Sequence, residues 1–467
     1  MKTLYRKYWI WTLLVTVSYA CEDFVEVDTP RDEIVRENVF SNNSTAVSAV
    51  SGIYSDMITI NGFSWTNSGV ERYTGLYADE FVTFSSSSEE QDVAENQLDP
   101  ANGTLLVVFW SNAYNYLLNA NSIIEGLSGE NGVTDSLRNQ LEGEAKFIRA
   151  FCHFYLTNLY GPIPLVTSTN FEVNNTLVRQ PESEVYALII DDLLEAEALM
   201  FDNFVFAGDE RIRPNKDAAS AFLARVYLFR EDWQNAEQRA TALINNSDMY
   251  ALESDLNNVF LANSSEAIWQ LQPVNGPFFL TPQAQNFIPF APPSLINGIA
   301  LSQGLFDAFE SGDNRQTNWI ASLAFGTDVF YYPFKYKNQD TPLAEYTMVF
   351  RLAEQYLIRA EARAQLGNLN GAIADLDMIR ARAGLPLIAD SNPTLTQAEL
   401  LLAIEQERRV ELFTEWGHRW LDLKRTTRAD DVMSPLKTNW DPTDVLWPIP
   451  ETEIIENPNL LPQNEGY

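Results

Sequence analysis

The chain has 467 residues, 46% of them hydrophobic, and a formal net charge of −33. That length and apolar content allow a large core, whereas so negative a charge repels phosphate backbones and leaves no basic membrane-binding patch, so no nucleic-acid partner is expected. Two histidines and two cysteines are little material for zinc sites or for Ser-His and Cys-His dyads; no phosphate loop, nucleophile elbow or metalloprotease helix occurs, so no cofactor and no metal site is expected, while so acidic a chain leaves calcium open without showing an EF-hand loop.

At the N-terminus Lys2, Arg6 and Lys7 precede an apolar stretch over 8–17. It is too short to span a bilayer, which needs ~20 apolar residues, and reads as a secretory signal over 1–20. Ser18-Tyr19-Ala20 fits an ordinary signal-peptidase site. Ser18-Tyr19-Ala20-Cys21 also fits a bacterial lipobox, with Ser where Leu is usual, in which the Cys21 sulfur receives a diacylglycerol. A lone thiol at a mature N-terminus would oxidise, which favours lipidation of Cys21. Acyl chains would then hold the protein on a membrane, with Glu22 and Asp23 beginning a solvated tether over 21–40. An acylated Cys21 leaves Cys152 without an intrachain disulfide partner.

From there the expected organisation is one domain over 41–467. Residues 41–60 begin a helical pattern with Asn and Ser available as caps. Residues 61–103 lose periodicity and fill with Gly, Ser, Asn and Asp, which predicts a long irregular excursion, and such loops tend to carry function. Helical spacing returns over 104–127, where Phe109, Ala113, Tyr116, Ala120 and Leu127 share a face. A second helix is predicted over 134–159, stopped by Gly161-Pro162. A third runs over 184–200, with Ile189, Leu193, Ala196 and Met200 on one stripe.

Two helical hairpins follow. Helix 217–231 aligns Ala221, Ala224 and Leu228, and helix 233–245 aligns Trp233, Ala236, Ala240 and Ile244. The unit recurs in helix 351–366, with Ala353, Leu357, Ala360 and Ala364, and in the run Ala372, Leu376, Ile379 and Ala383. Small residues on facing stripes let antiparallel helices pack closely, the logic of a tetratricopeptide hairpin. Between the hairpins, 250–345 is a second excursion. It contains a short strand over 267–271 and then Pro-rich aromatic chain that suits neither a regular helix nor a central strand. Helix returns over 396–425, and the tail from 431 is punctuated by Pro and Asn. The scaffold thus occupies about 41–60, 104–250 and 346–430. The excursions take 61–103 and 251–345, and the tail 431–467.

Over 411–425 the acids and bases Glu411, Glu415, Arg419, Asp422 and Arg425 lie at near-helical spacings. They are expected to form ion pairs along one helix, a structural network rather than an acid–base pair. His153 and His418 are expected to satisfy local hydrogen bonds. Trp110, Trp233, Trp416, Trp420 and Trp447 lie on periodic faces or in structural motifs and are expected in the core.

Four stretches carry a family resemblance: AKFIRAFCHFYLTNLYGPIPLV over 145–166, LFDAFESGDNR over 305–315, ELFTEWGHRWLDLKR over 411–425, and the tail from Leu446-Trp447-Pro448-Ile449-Pro450 to Asn464-Glu465-Gly466-Tyr467. Together they resemble the SusD/RagB family of outer-membrane nutrient-binding lipoproteins, over nearly the whole mature chain. The resemblance implies an all-α, tetratricopeptide-like scaffold with a loop-rich ligand face. It also implies anchorage through Cys21 on the outside of the outer membrane, and a lid-like partnership with a TonB-dependent transporter of the SusC type. The ligand would be a glycan, or a peptide as in the RagB branch, bound without chemical change; a secreted glycoside hydrolase is the alternative from another class. A sugar ring stacks its C–H face on an aromatic ring, and its hydroxyls need fixed donors and acceptors. The excursions hold such residues: Trp65, Arg72 and Tyr73 in the first, Trp319, Tyr331 and Tyr332 in the second. For Trp65 and Trp319, ligand stacking and core packing are equally compatible with the sequence.

Overall fold

The computed structural model describes residues 36–59, 65–129, 131–274 and 279–467; the signal segment, Cys21 and most of the tether lie outside them. The scaffold helices fall where apolar spacing places them. They are α1 (Asn43–Ile58), α4 (Asn112–Leu127), α5 (Asp135–Tyr160), α6 (Glu182–Leu199), α7 (Lys216–Phe229), α8 (Trp233–Asn245), α9 (Leu352–Gln365), α10 (Leu369–Arg382) and α11 (Gln397–Glu411). Their starts are set by side chains that accept orphan backbone N–H groups: Asn42 for α1, Asn215 for α7, Asp232 for α8, Asn368 for α10 and Thr396 for α11. Helices α4 to α7 pack successively, and α8 packs directly on α9 although the second excursion separates them in sequence. Ala221, Ala224, Ala236 and Ala240 in one hairpin and Ala360, Ala364 and Ala372 in the next are fully buried, so the small-residue stripes are the contact surfaces.

Three two-stranded antiparallel sheets accompany the helices among the described residues. Strand β2 (Ala267–Leu271) pairs with β6 (Thr347–Arg351) and closes the base of the second excursion. Their aromatic residues enter the helical core: the Trp269 ring lies 5.1 Å from Phe147 and 6.1 Å from Phe350, and Phe350 lies 5.3 Å from Phe222. Each such ring hides about 150–250 Å², roughly 4–6 kcal/mol of transfer free energy before conformational entropy is charged against it. The excursion is therefore rooted in the scaffold.

The first excursion is more ordered than its sequence suggests. An irregular turn over Trp65–Gly69 leads into α2 (Val70–Tyr77), β1 (Phe81–Thr83) and α3 (Ser88–Ala94). Every residue of α2 is buried, and a helix buried all round has no polar stripe to reveal its period. Similarly, Leu105–Ser111 is π-helical before α4 begins. The predicted continuous helix over 396–425 is also corrected. Helix α11 ends at Glu411 and α12 spans His418–Arg425. The break turns through left-handed residues Thr414, Trp416 and Gly417 (φ 52°, 45° and 72°). A Cβ on Gly417 would lie 2.8 Å from Thr74 Oγ1 on α2, so close approach and positive φ both require glycine there.

The tail is a strap. Trp447 N–H donates to the Leu159 carbonyl at 2.8 Å, and its ring meets Phe109 at 4.9 Å and Tyr77 at 5.4 Å. Asn464 Nδ2 donates to the carbonyls of Tyr160 and Trp447 at 2.9 and 2.7 Å. Helix α13 (Glu451–Glu456) lies between these two anchors.

Candidate functional site

The two excursions, distant in sequence, are stitched together. Strand β1 pairs with β3 (Ile299–Leu301), Phe81 opposite Leu301 and Thr83 opposite Ile299. Flanking the pair, Phe84 N–H donates to the Gly298 carbonyl at 2.9 Å and Ser302 N–H to the Glu80 carbonyl at 2.8 Å. Side chains add Asn286 Nδ2 to Ser68 Oγ at 2.7 Å and Gln283 Nε2 to Glu71 at 3.1 Å. Beside β3 stands a hairpin of β4 (Ile320–Phe325) and β5 (Asp328–Pro333). Gly326, at φ 62°, opens its two-residue turn.

Register decides what this hairpin shows to solvent. Ala321 pairs with Tyr332, Leu323 with Phe330 and Phe325 with Asp328, so these six share one face; Ser322 and Tyr331 lie on the other. The first face carries an aromatic ridge. Phe84 packs edge-on against Phe330, centroids 5.4 Å apart, and Tyr332 meets Phe334 edge-on. Phe84 and Phe325 remain 37% and 48% exposed, and Tyr332 is half-buried. Phe290, 89% exposed, stands on the loop before β3.

The six residues expected to bind are distributed differently. Trp65 is 1% exposed, among Tyr116, Phe151 and Tyr155. Trp319 is 0% exposed; its indole N–H donates to the Leu256 carbonyl at 3.0 Å, and Lys335, Arg351 and Arg382 lie 4.9 to 5.8 Å from its ring. Neither has a ring face left for a ligand, so both are corrected to core residues. Arg72 is buried in an ion pair with Glu90 at 2.8 Å, and buried Tyr73 packs against Phe109. Tyr331 stacks on Phe306 with centroids 3.8 Å apart, and only Tyr332 lies on the ridge. Phe84 and Phe325 are missing from the expectation because it sought Trp and Tyr. The signal for Phe84 is an aromatic closing the run Phe81-Val82-Thr83-Phe84 just before the serines of 85–88.

Both excursions also contribute to a buried charge network, through Asp79 and through Asp313 and Arg315, whose ion pairs bridge elements instead of running along one helix. Arg351 contacts Glu266 at 2.9 Å, Glu411 at 2.6 Å and Glu415 at 2.8 Å; Arg315 contacts Asp313, Glu407 and Glu411 at 2.6–3.0 Å. Arg419 pairs with Asp79, and Asp422 with Arg408; the Asp422–Arg425 contact stays within α12. Burial alone would raise the Glu411 carboxyl, but Arg382, Arg351 and Arg315 hold it well below its usual value. Glu71 has hydrogen bonds but no cation among the causes of its shift, and for Glu80 the cations Lys335 and Arg419 offset burial only in part, so burial pushes each up to about 7. Both are 2% exposed, so these acids with neutral-range pKa values do not face a cleft. His153 differs from expectation: neither ring nitrogen makes a well-formed hydrogen bond, and burial lowers its pKa to about 3. Trp110, Trp416, Trp420 and Trp447 are buried as expected, and Trp233 is half-buried.

Two family models match the chain, one described as the SusD family over 310–467 and one described as starch-binding associating with outer membrane over 32–228. The chain belongs to the SusD family. As a SusD-family chain it aligns with SusD-like protein P2 of Formosa agariphila at 27% identity, over 99% of this chain and 100% of that one. A SusD superfamily protein from Bacteroides vulgatus shares the fold with a TM-score of 0.78 at 22% identity, covering 92% of this chain and 100% of the other. A laminarin-binding SusD-like protein superimposes with a TM-score of 0.75 at 24% identity, with the same coverage. The expected helical architecture with a loop-rich side therefore stands. Among the described residues no helix is long and apolar enough to cross a membrane.

Proposed function

We propose that this SusD-family chain is a glycan-binding lipoprotein of the outer cell surface. It captures oligosaccharide or polysaccharide without cleaving it and passes it to a TonB-dependent transporter of the SusC type. The observation that carries this reading is the ridge: Phe84, Phe325 and Tyr332 present ring surface on the joined excursions, where C–H faces of sugars can stack. The starch-binding description of the matched family and the laminarin-binding structural relative support a glycan over a peptide. Burial of Glu71 and Glu80 supports binding without hydrolysis, since an acid catalyst must reach the glycosidic oxygen.

The experiment is retention of the soluble chain, begun at Glu22, on starch and laminarin matrices. Retention without new reducing ends is expected, and Phe84→Ala with Tyr332→Ala should weaken it about tenfold or more, each lost stacking contact being worth roughly 1 kcal/mol. Released product would overturn the non-catalytic reading, and retention only on peptide matrices would replace the ligand class. Anchorage through Cys21 is tested separately: palmitate labelling of the full chain should disappear in Cys21→Ala.

A further inference from the structure

A second cleft, of about 510 Å³, opens between α4, the segment following α5 and α13. None of its lining residues belongs to either excursion. Its most open wall is Phe171, 72% exposed. The short helix Phe171–Asn174 that carries it is capped by Asn170, whose side chain accepts from Val173 N–H at 3.2 Å. Asn174 Nδ2 donates to the Ser168 carbonyl at 2.9 Å, and from the tail Asn457 Nδ2 donates to the Leu177 carbonyl at 2.8 Å. The ring is thus held outward by a pinned loop.

The floor is fixed as well. Tyr114 hydroxyl donates to the Pro164 carbonyl at 3.1 Å, and the buried Trp110 ring packs 4.9 Å from the Tyr114 ring; burial raises the pKa of the Glu453 carboxyl. Around the ring the side chains of Asn115, Asn175 and Glu456 make no hydrogen bond with any described residue. An open aromatic face beside uncommitted amides and a carboxylate is the chemistry of a pyranose: the C–H face stacks and the hydroxyls find donors and acceptors. The lining holds Glu453 and Glu456 and no lysine or arginine, which disfavours acidic sugars.

We propose that this cleft is a second carbohydrate site, distinct from the ridge, that takes a neutral oligosaccharide with one sugar stacked on Phe171. The proposal rests on the carbohydrate reading above. Asn115, Asn175 and Glu456 supply the hydroxyl contacts, and the loop over 167–175 forms the wall.

Hydrogen exchange of the soluble chain tests it, with maltoheptaose and laminariheptaose as probes and an oligogalacturonate as the acidic control. At least one neutral probe is expected to protect the amides of 110–118 and 168–175 as well as those of the excursions, and the acidic probe to leave 110–118 and 168–175 unprotected. Phe171→Ala should raise the sugar concentration for half-protection of the cleft about tenfold and leave ridge protection unchanged. Protection confined to the excursions would overturn the second site while the glycan reading stands; protection at neither place would overturn both. If Phe171→Ala leaves every sugar response unchanged but weakens co-purification with the transporter, the cleft is a protein contact and the proposal falls.

Discussion

Trp319 and Tyr332 differ in exposure and therefore in the expected effect of their loss. Trp319 is fully buried under three cationic side chains. Its replacement by alanine leaves a cavity and is expected to destabilise by about 3–5 kcal/mol, read as a lower urea midpoint, with any loss of glycan retention tracking the unfolded fraction. Tyr332 is half-buried and its hydroxyl makes no hydrogen bond with a described residue. Tyr332→Ala should change stability by less than ~1 kcal/mol yet lower retention at full folding. Glu80 gives a third residue-scale expectation. Burial raises its pKa to about 7, and its carboxyl accepts from Thr414 N–H at 3.0 Å. A glutamine can keep that acceptor without the charge, so the stability of Glu80→Gln relative to wild type should rise between pH 5 and pH 8, by on the order of 2–3 kcal/mol. An unchanged difference across that range would place the ionised carboxylate in a better-solvated setting.

At the scale of elements, the charge network welds α11, the 412–417 break, β6 and the second excursion. Arg351 in β6 contacts three glutamates that are themselves buried. Arg351→Met should cost about 3–5 kcal/mol, because removing one partner strands buried carboxylates; a midpoint within error of wild type would show that Arg382, Lys335 and Arg315 neutralise them unaided. The same elements show what a sequence can and cannot reveal. Helices such as α6 and α8 are legible because each buries one stripe at a 3.6-residue period. The break between α11 and α12 is masked because Phe413 and Trp416 continue an apolar pattern through backbone that is no longer helical. The ridge is least legible. Strands β1 and β3 are three residues long, too short for a period, and their pairing joins distant segments. Tyr331 and Tyr332 look equivalent in sequence, but the register of β4 and β5 sends them to opposite faces, and register is set by partners outside the local window.

Over the whole molecule, buried titrating groups fall into sets with opposing pH signatures. Glu71 and Glu80 are raised by burial to about 7. Between the ordinary carboxylate value of ~4.3 and that value the native state keeps protons the unfolded chain has released, so stability falls as pH rises through this window. Burial lowers His153 to about 3 and His418 well below its usual value. From there up to ~6.5 the unfolded chain holds protons the native state refuses, so stability is lost as pH falls. Between about pH 4.5 and 6.5 the two sets oppose each other and partly cancel, each group contributing at most ~1.4 kcal/mol per pH unit; the buried Asp192 and Glu407 carboxyls, also raised by burial, add to the first set. Below about pH 4 the opposition ends, because Glu71 and Glu80 are protonated in both states. There Asp79, Glu411, Glu415 and Asp422, which burial would raise but cationic neighbours hold low, join the histidines, and a steep acid limb follows. His153→Leu separates the contributions. The side chain is fully buried, and leucine removes its proton uptake from the unfolded state. The variant should therefore gain about 1–2 kcal/mol relative to wild type on acidification from pH 6.5 to 5, measured by urea unfolding. A variant profile parallel to wild type would mean that His153 already carries its proton in the folded protein over that range.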